Sequence, residues 1–264
     1  MATEDVLRQL VIQSLGFVIL GAIVYVLTKA LRFRYRGWSF ADAGRASLWG
    51  IVAILVSWVL VSALFFLFAS SRDMPQSVPG GRRYSLNDVV NQAVIALLAF
   101  GPVLLAMRWR REPWASAGVS AHNLGCSLVV GLVLAFFTVV GIFFGGGRSF
   151  SEVAGGLTVS HFWALLKFAI VGFGEEFAFR GYLQTRLMAW LGQWQGWVVT
   201  SVLMALAHVV QRMTIIDLSP LEAVISSASL VPISLLMGYV MLRTENVVAP
   251  GLFHTFANWV NTLS

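Results

Sequence analysis

Long apolar runs alternate with short polar segments from one end of the chain to the other. An α-helix needs about twenty apolar residues to cross the hydrocarbon core of a bilayer. On that measure the pattern predicts about eight spans. They lie roughly at Val6 to Ala30, Ala46 to Ser70, Leu86 to Met107, Leu124 to Phe144, Thr158 to Trp190, Gly196 to Val210, Leu221 to Leu242 and Val247 to Val260. The segment Arg72 to Tyr84 holds Pro75, Pro79, Gly80 and Gly81 and reads as a loop. Gly145, Gly146 and Gly147 break the fourth run, and Gly101-Pro102 predicts a kink in the third. The fifth run is too long for one simple crossing, so its last part, from about Gln184, is expected along the membrane interface. The expected fold is all-α: a polytopic transmembrane helical bundle.

Composition agrees with that class. The chain is 58% hydrophobic and only 11% charged, against about 25% charged in a soluble domain. Its mean hydropathy is +0.80. The net charge of +6 does not point to nucleic acid, because the basic residues fall in loops, where they report orientation. Lys29, Arg32, Arg34, Arg36, Arg45, Arg108, Arg110, Arg111, Arg180, Arg186 and Arg243 fall on one side of the expected topology. Arg8, Arg72, Arg82, Arg83, Arg148 and Arg212 fall on the other. The excess places the first group in the cytoplasm and both termini outside. The chain starts Met-Ala-Thr-Glu-Asp, acidic where a signal peptide is basic, so the first span is expected to be retained. A single cysteine, Cys126, excludes an intrachain disulfide framework and sits in an apolar run, as an inert thiol would.

Against this background the ionisable residues within spans stand out, because they are costly there and mark functional sites by default. Glu175, Glu176 and Arg180 end a run in which His161 and Lys167 are the other ionisable groups after Gly155. Glu176 and Arg180 are four apart and share a helix face, with the acid N-terminal to the base. Glu175 points elsewhere, so one carboxylate can be held by the arginine while the other stays free. His208 lies in the sixth span, and His254 and Asn258 share a face of the eighth. Measured at the helical rise from the expected cytoplasmic ends, Glu175 lies about 16 Å in, His208 about 18 Å, Asn258 about 16 Å and His254 about 10 Å. A structural alternative exists for each: a packing salt bridge for the acidic stretch, and interhelical hydrogen bonding for the histidines and Asn258. Lys167 is expected to snorkel, and His161 and His122 to be incidental.

A carboxylate, two histidines and an amide suit addition of water to a carbonyl. The carboxylate takes a proton from water, a histidine helps to hold that water, and N–H donors stabilise the oxyanion. No covalent intermediate is required. His-Glu-x-x-His and Gly-x-Gly-Asp are both absent, and Gly118-Val119-Ser120 is a bare Gly-x-Ser in a loop.

Glu175-Glu176-x-x-x-Arg180, a histidine in the next span and His254-x-x-x-Asn258 near the end resemble the CAAX prenyl endopeptidases. This is the CPBP (Abi) family of glutamate-type intramembrane proteases. The resemblance covers about Thr158 to Asn261. It divides one membrane domain, residues 1–264, into four N-terminal spans (1–157) and a CPBP-like core (158–262). In the second motif Met204 stands where the family usually has phenylalanine, which implies altered packing near the site.

The resemblance implies that Glu175 is the catalytic carboxylate and His208 its partner on the water. It makes His254 and Asn258 the oxyanion site, and Glu176 and Arg180 a supporting pair, with no metal and no cofactor. The implied substrate is a membrane-associated peptide or protein. Eukaryotic members remove the last three residues from prenylated CAAX proteins, and many prokaryotic relatives act on other substrates. The short loops suggest a prokaryotic cell membrane, with the site opening to the cytoplasmic half. Two other readings use the same residues: a zinc-dependent membrane peptidase, or a non-catalytic membrane scaffold or immunity protein. A transporter is disfavoured by the lack of paired inverted repeats.

Overall fold

Helices account for every regular element among the described residues, as the run lengths require. The computed structural model describes residues 3–70, 83–145, 151 and 155–263. Arg72, Pro75, Pro79, Gly80, Gly81, Arg82, Gly146, Gly147 and Arg148 lie outside the described residues. The helices are α1 (Thr3–Ala30), α2 (Ala43–Ser70), α3 (Leu86–Trp109), α4 (Leu124–Gly145) and α5 (Val159–Glu176). A π-helical segment (Phe177–Gln184) and α6 (Thr185–Leu191) continue α5. Then come α7 (Gln193–Ala207), α8 (Val209–Ile215), α9 (Pro220–Ala228), α10 (Val231–Thr244) and α11 (Val248–Trp259). Local chemistry sets several starts. Asp88 Oδ2 accepts the Ser85 backbone N–H at 2.9 Å ahead of α3. His161 Nδ1 accepts that of Thr158 at 2.9 Å ahead of α5, which gives His161 a capping role. Ser219 and Glu222 form a capping box at α9, with Pro220 in its first turn.

This is a polytopic helical membrane protein. Among the described residues, five helices are long and apolar enough to cross a bilayer, or up to six if the α9–α10 pair, bent by 41°, counts as one span. That count is roughly consistent with about eight spans, and the remaining two fall outside the measure for a physical reason. The composite α5 carries Lys167 and the two glutamates, and α11 is only 12 residues long. Both are held by neighbours, whereas α1 to α4 present Val18, Leu67, Leu97 and Phe136 outward, as lipid-facing helices do.

At the end of the fifth run, Gln184, Thr185, Arg186, Leu187 and Met188 are buried in a helix packed against α2 and α7. Arg180 and Arg186 are fully buried, so they do not report orientation as loop charges would. The other loop contacts keep the expected grouping. Asn123 Nδ2 donates to Arg34 O at 3.1 Å, and the Arg36 backbone N–H donates to Glu245 Oε2 at 2.9 Å. The loops α1–α2, α3–α4 and α10–α11 therefore meet on one side. On the other, Trp259 Nε1 donates to His161 O at 2.8 Å.

Small residues let α11 approach its neighbours closely. A Cβ on Gly172 would lie 2.7 Å from Thr255 Oγ1 and 2.8 Å from its backbone nitrogen. One on Gly131 would lie 3.0 Å from the Ala249 backbone. Close backbone approach of this kind drives helix association in membranes. Gly172 is one turn before Glu176, and Thr255 is next to His254, so this contact sets the spacing of the candidate site. Gly172→Ala should force α5 and α11 apart. We expect a loss of about 1–3 kcal/mol, read as a lower Tm in detergent, with reduced turnover.

Candidate active site

Three helices deliver the ionisable groups. Glu175 and Glu176 sit at the end of α5, His208 at the end of α7, and His254 in the middle of α11. Immediately after Glu176 the chain winds into the π-helical segment. Such wider turns are rare and often occur at functional sites. The Glu176–Arg180 pairing survives the change in winding, with Arg180 Nε 3.2 Å from Glu176 Oε2 and both side chains fully buried. That contact lacks hydrogen-bond alignment and holds by charge. The guanidinium is anchored on its far side instead. Its Nη2 donates to Ser234 Oγ at 2.9 Å and to Met204 Sδ at 2.7 Å. Ser234 Oγ in turn donates to Ser201 O at 2.9 Å.

His208 sits where the helix breaks between α7 and α8. Its backbone N–H closes a tight turn to Ala205 O at 3.2 Å. The neighbouring carbonyl of Ala207 accepts the Trp58 indole N–H at 3.1 Å, which satisfies an oxygen that the break frees. His208 Nδ1 lies 2.9 Å from Met204 O. A carbonyl only accepts, so Nδ1 carries the proton, and Nε2 of the neutral ring holds a lone pair. That nitrogen faces Glu175 Oε2 at 3.9 Å.

His254 is placed the same way by a different group. Its Nδ1 lies 2.9 Å from Glu176 Oε1, so the buried carboxylate orients the ring and keeps the proton on Nδ1. Its Nε2 then also faces Glu175 Oε2, again at 3.9 Å. Glu176 thus joins Arg180 on one oxygen to His254 on the other. Glu175 differs from its neighbour in exposure: its side chain is 29% exposed where that of Glu176 is fully buried. Phe100 packs against the backbone of Gly174, just before this carboxylate.

Five of the six residues singled out from the sequence therefore meet: Glu175, Glu176, Arg180, His208 and His254. Asn258 lies one turn beyond His254 on α11, partly buried, without a hydrogen bond to the others. Ser234 and Ser201 went unrecognised, since isolated serines in apolar helices carry no signal in a single sequence. Met204 was noted only as a departure in packing. It also accepts from the buried guanidinium. Lys167 lies over the Tyr84 ring, 5.3 Å from its centroid. Among the described residues no group of three or more His, Cys, Asp and Glu side chains is arranged to hold a metal ion.

Residues 157–260 match the family described as type II CAAX prenyl endopeptidase, Rce1-like. This part of the chain is Rce1-like. The match contains all five residues that meet there, and α1 to α4 lie outside it. At family level that match points to a CAAX-type membrane protease, a hydrolase acting on a membrane-embedded protein. No curated protein and no solved structure matches the chain.

Proposed function

We propose that the Rce1-like segment cleaves peptide bonds at the membrane by glutamate-activated water, with Glu175 as the general base. The observation that carries this is the position of Glu175 Oε2, 3.9 Å from Nε2 of both His208 and His254. Polar atoms at that separation are spaced for one bridging water. Glu175 takes the proton as the water oxygen attacks the scissile carbonyl, and the lone pair on His208 Nε2 holds the second hydrogen. His254 acts on the carbonyl oxygen as the imidazolium, whose Nε2–H donates, while Glu176 on Nδ1 balances the charge. Arg180 holds Glu176 and does not touch substrate. The proton on Glu175 then passes to the leaving amine, which closes the cycle without a covalent intermediate.

Asn258 is proposed as a second donor to the oxyanion, reached when substrate is bound. Apo geometry does not decide such a contact. Asn258→Ala should lower kcat about 10²–10³-fold with little change in KM, because the contact strengthens only as charge develops. An equal rise in KM with unchanged kcat would assign Asn258 to substrate binding instead.

We further propose that the site opens to the cytoplasmic half of a prokaryotic cell membrane. The side bearing the α1–α2 and α3–α4 loops is rich in arginine. The substrate class is tested with detergent-purified protein and paired C-terminal peptides, one with a prenylated cysteine and one unmodified. Cleavage of the prenylated peptide alone supports a CAAX-type substrate. Equal cleavage of both places recognition in the peptide and the membrane.

A further inference from the structure

A cavity of about 420 Å³ opens on the arginine-rich side of the molecule, away from Glu175. Arg45, at the start of α2, and Arg110, just after α3, line it together with Asp42, Glu112 and the hydroxyls of Ser39 and Ser116. The acids are already engaged. Glu112 binds Arg110 Nε at 2.7 Å through one oxygen and the buried Arg186 at 2.5 Å through the other. Asp42 Oδ1 accepts the backbone N–H of Arg45 at 2.8 Å. The Arg45 guanidinium is exposed and forms no ion pair among the described residues. The lining balances Arg45 and Arg110 against Asp42 and Glu112; the buried Arg186 behind Glu112 adds a third positive charge, and Arg45 is free to bind.

The surroundings define the level at which it opens. One turn along α2 from Arg45, Leu48 is 60% exposed, and Val52 and Leu55 continue that outward apolar face. Beside Arg110, Trp109 is 78% exposed, with its ring 5.9 Å from that of Trp49, and Leu105 is exposed a turn deeper. Outward leucines that give way to tryptophan and then arginine mark the boundary between hydrocarbon and headgroups. Basic pockets at that boundary bind lipid phosphate.

We propose that this cavity takes the phosphate ester of an anionic phospholipid, held by Arg45 and Arg110, with its acyl chains along the exposed leucines of α2 and α3. The inference is independent of the catalytic reading. It is tested by native mass spectrometry of the delipidated full chain with phosphatidylglycerol and, separately, phosphatidylcholine. Parallel samples receive glycerol 3-phosphate or inorganic phosphate. Phosphatidylglycerol should be retained over phosphatidylcholine. Arg45→Ala should weaken that retention about fivefold, the effect of one arginine at a charged surface. Arg45→Lys should keep most of it, and Arg212→Ala, on the opposite side, should change nothing. Equal retention of phosphatidylglycerol by Arg45→Ala and the wild type would overturn the proposal. So would equal retention of the two lipids. Displacement of the lipid by glycerol 3-phosphate or inorganic phosphate at comparable concentration would make this a site for free phosphates and sink the lipid assignment.

Discussion

Glu175→Gln should lower peptide cleavage at least about a hundredfold, the usual scale for losing a general base, while the protein stays folded. The substitution keeps the shape of the side chain and removes its ability to take a proton. Glu175 is the partly exposed member of the acidic pair, and the ion pair and the His254 hydrogen bond belong to Glu176. The amide should therefore be tolerated, with Tm close to that of the wild type. On the scaffold reading the same variant would change only stability. A well-folded Glu175→Gln protein with full activity would remove the proposed mechanism.

Arg180→Ala should have its main effect on folding. The guanidinium is fully buried between Glu176, Met204 and Ser234. Its loss leaves the Glu176 carboxylate in a dry site with His254 as its remaining partner. Breaking a buried pair by removing one member costs about 3–5 kcal/mol, so yield and Tm should fall sharply. Turnover should fall further, because Glu176 orients His254. If Arg180→Ala kept its Tm and lost turnover alone, the arginine would act on substrate directly and the supporting role would be wrong.

The helical class and most of the site were legible because their signals are local. Apolar run lengths give the spans. The four-residue interval gives the Glu176–Arg180 pair, and similar depth gives the meeting of Glu175 and His208, whereas His254, counted shallower than Asn258, is the residue of α11 that joins them. What stayed hidden depends on contacts between distant residues. Glu176 reaches His254 across 78 positions, and no spacing within one helix reveals that the supporting pair orients a histidine on another. The anchoring of Arg180 by Ser234 and Met204 was hidden for the same reason. Nor does any pattern announce the π-helical winding after Glu176, which depends on how the segment packs. Burial of the stretch from Gln184 to Met188 has no local signal, because its polar side chains resemble those of a surface helix. In the structure they find partners inside: Arg186 on Glu112, and Gln184 Nε2 on Gly238 O at 2.9 Å. For Asn258, counting helical rise suggested a common depth, but the structure gives it no direct link to the other groups.

The central claim is that Glu175 activates water without a metal. Its most direct test is one mass-spectrometric assay of peptide products from purified wild type and Glu175→Gln, each with and without a strong chelator. The account predicts product from the wild type at the same rate in both conditions, and none above background from a folded Glu175→Gln protein. Product from Glu175→Gln at the wild-type rate would contradict it. So would wild-type activity that disappears on chelation and returns with zinc, which would make Glu175, His208 and His254 ligands of a zinc peptidase.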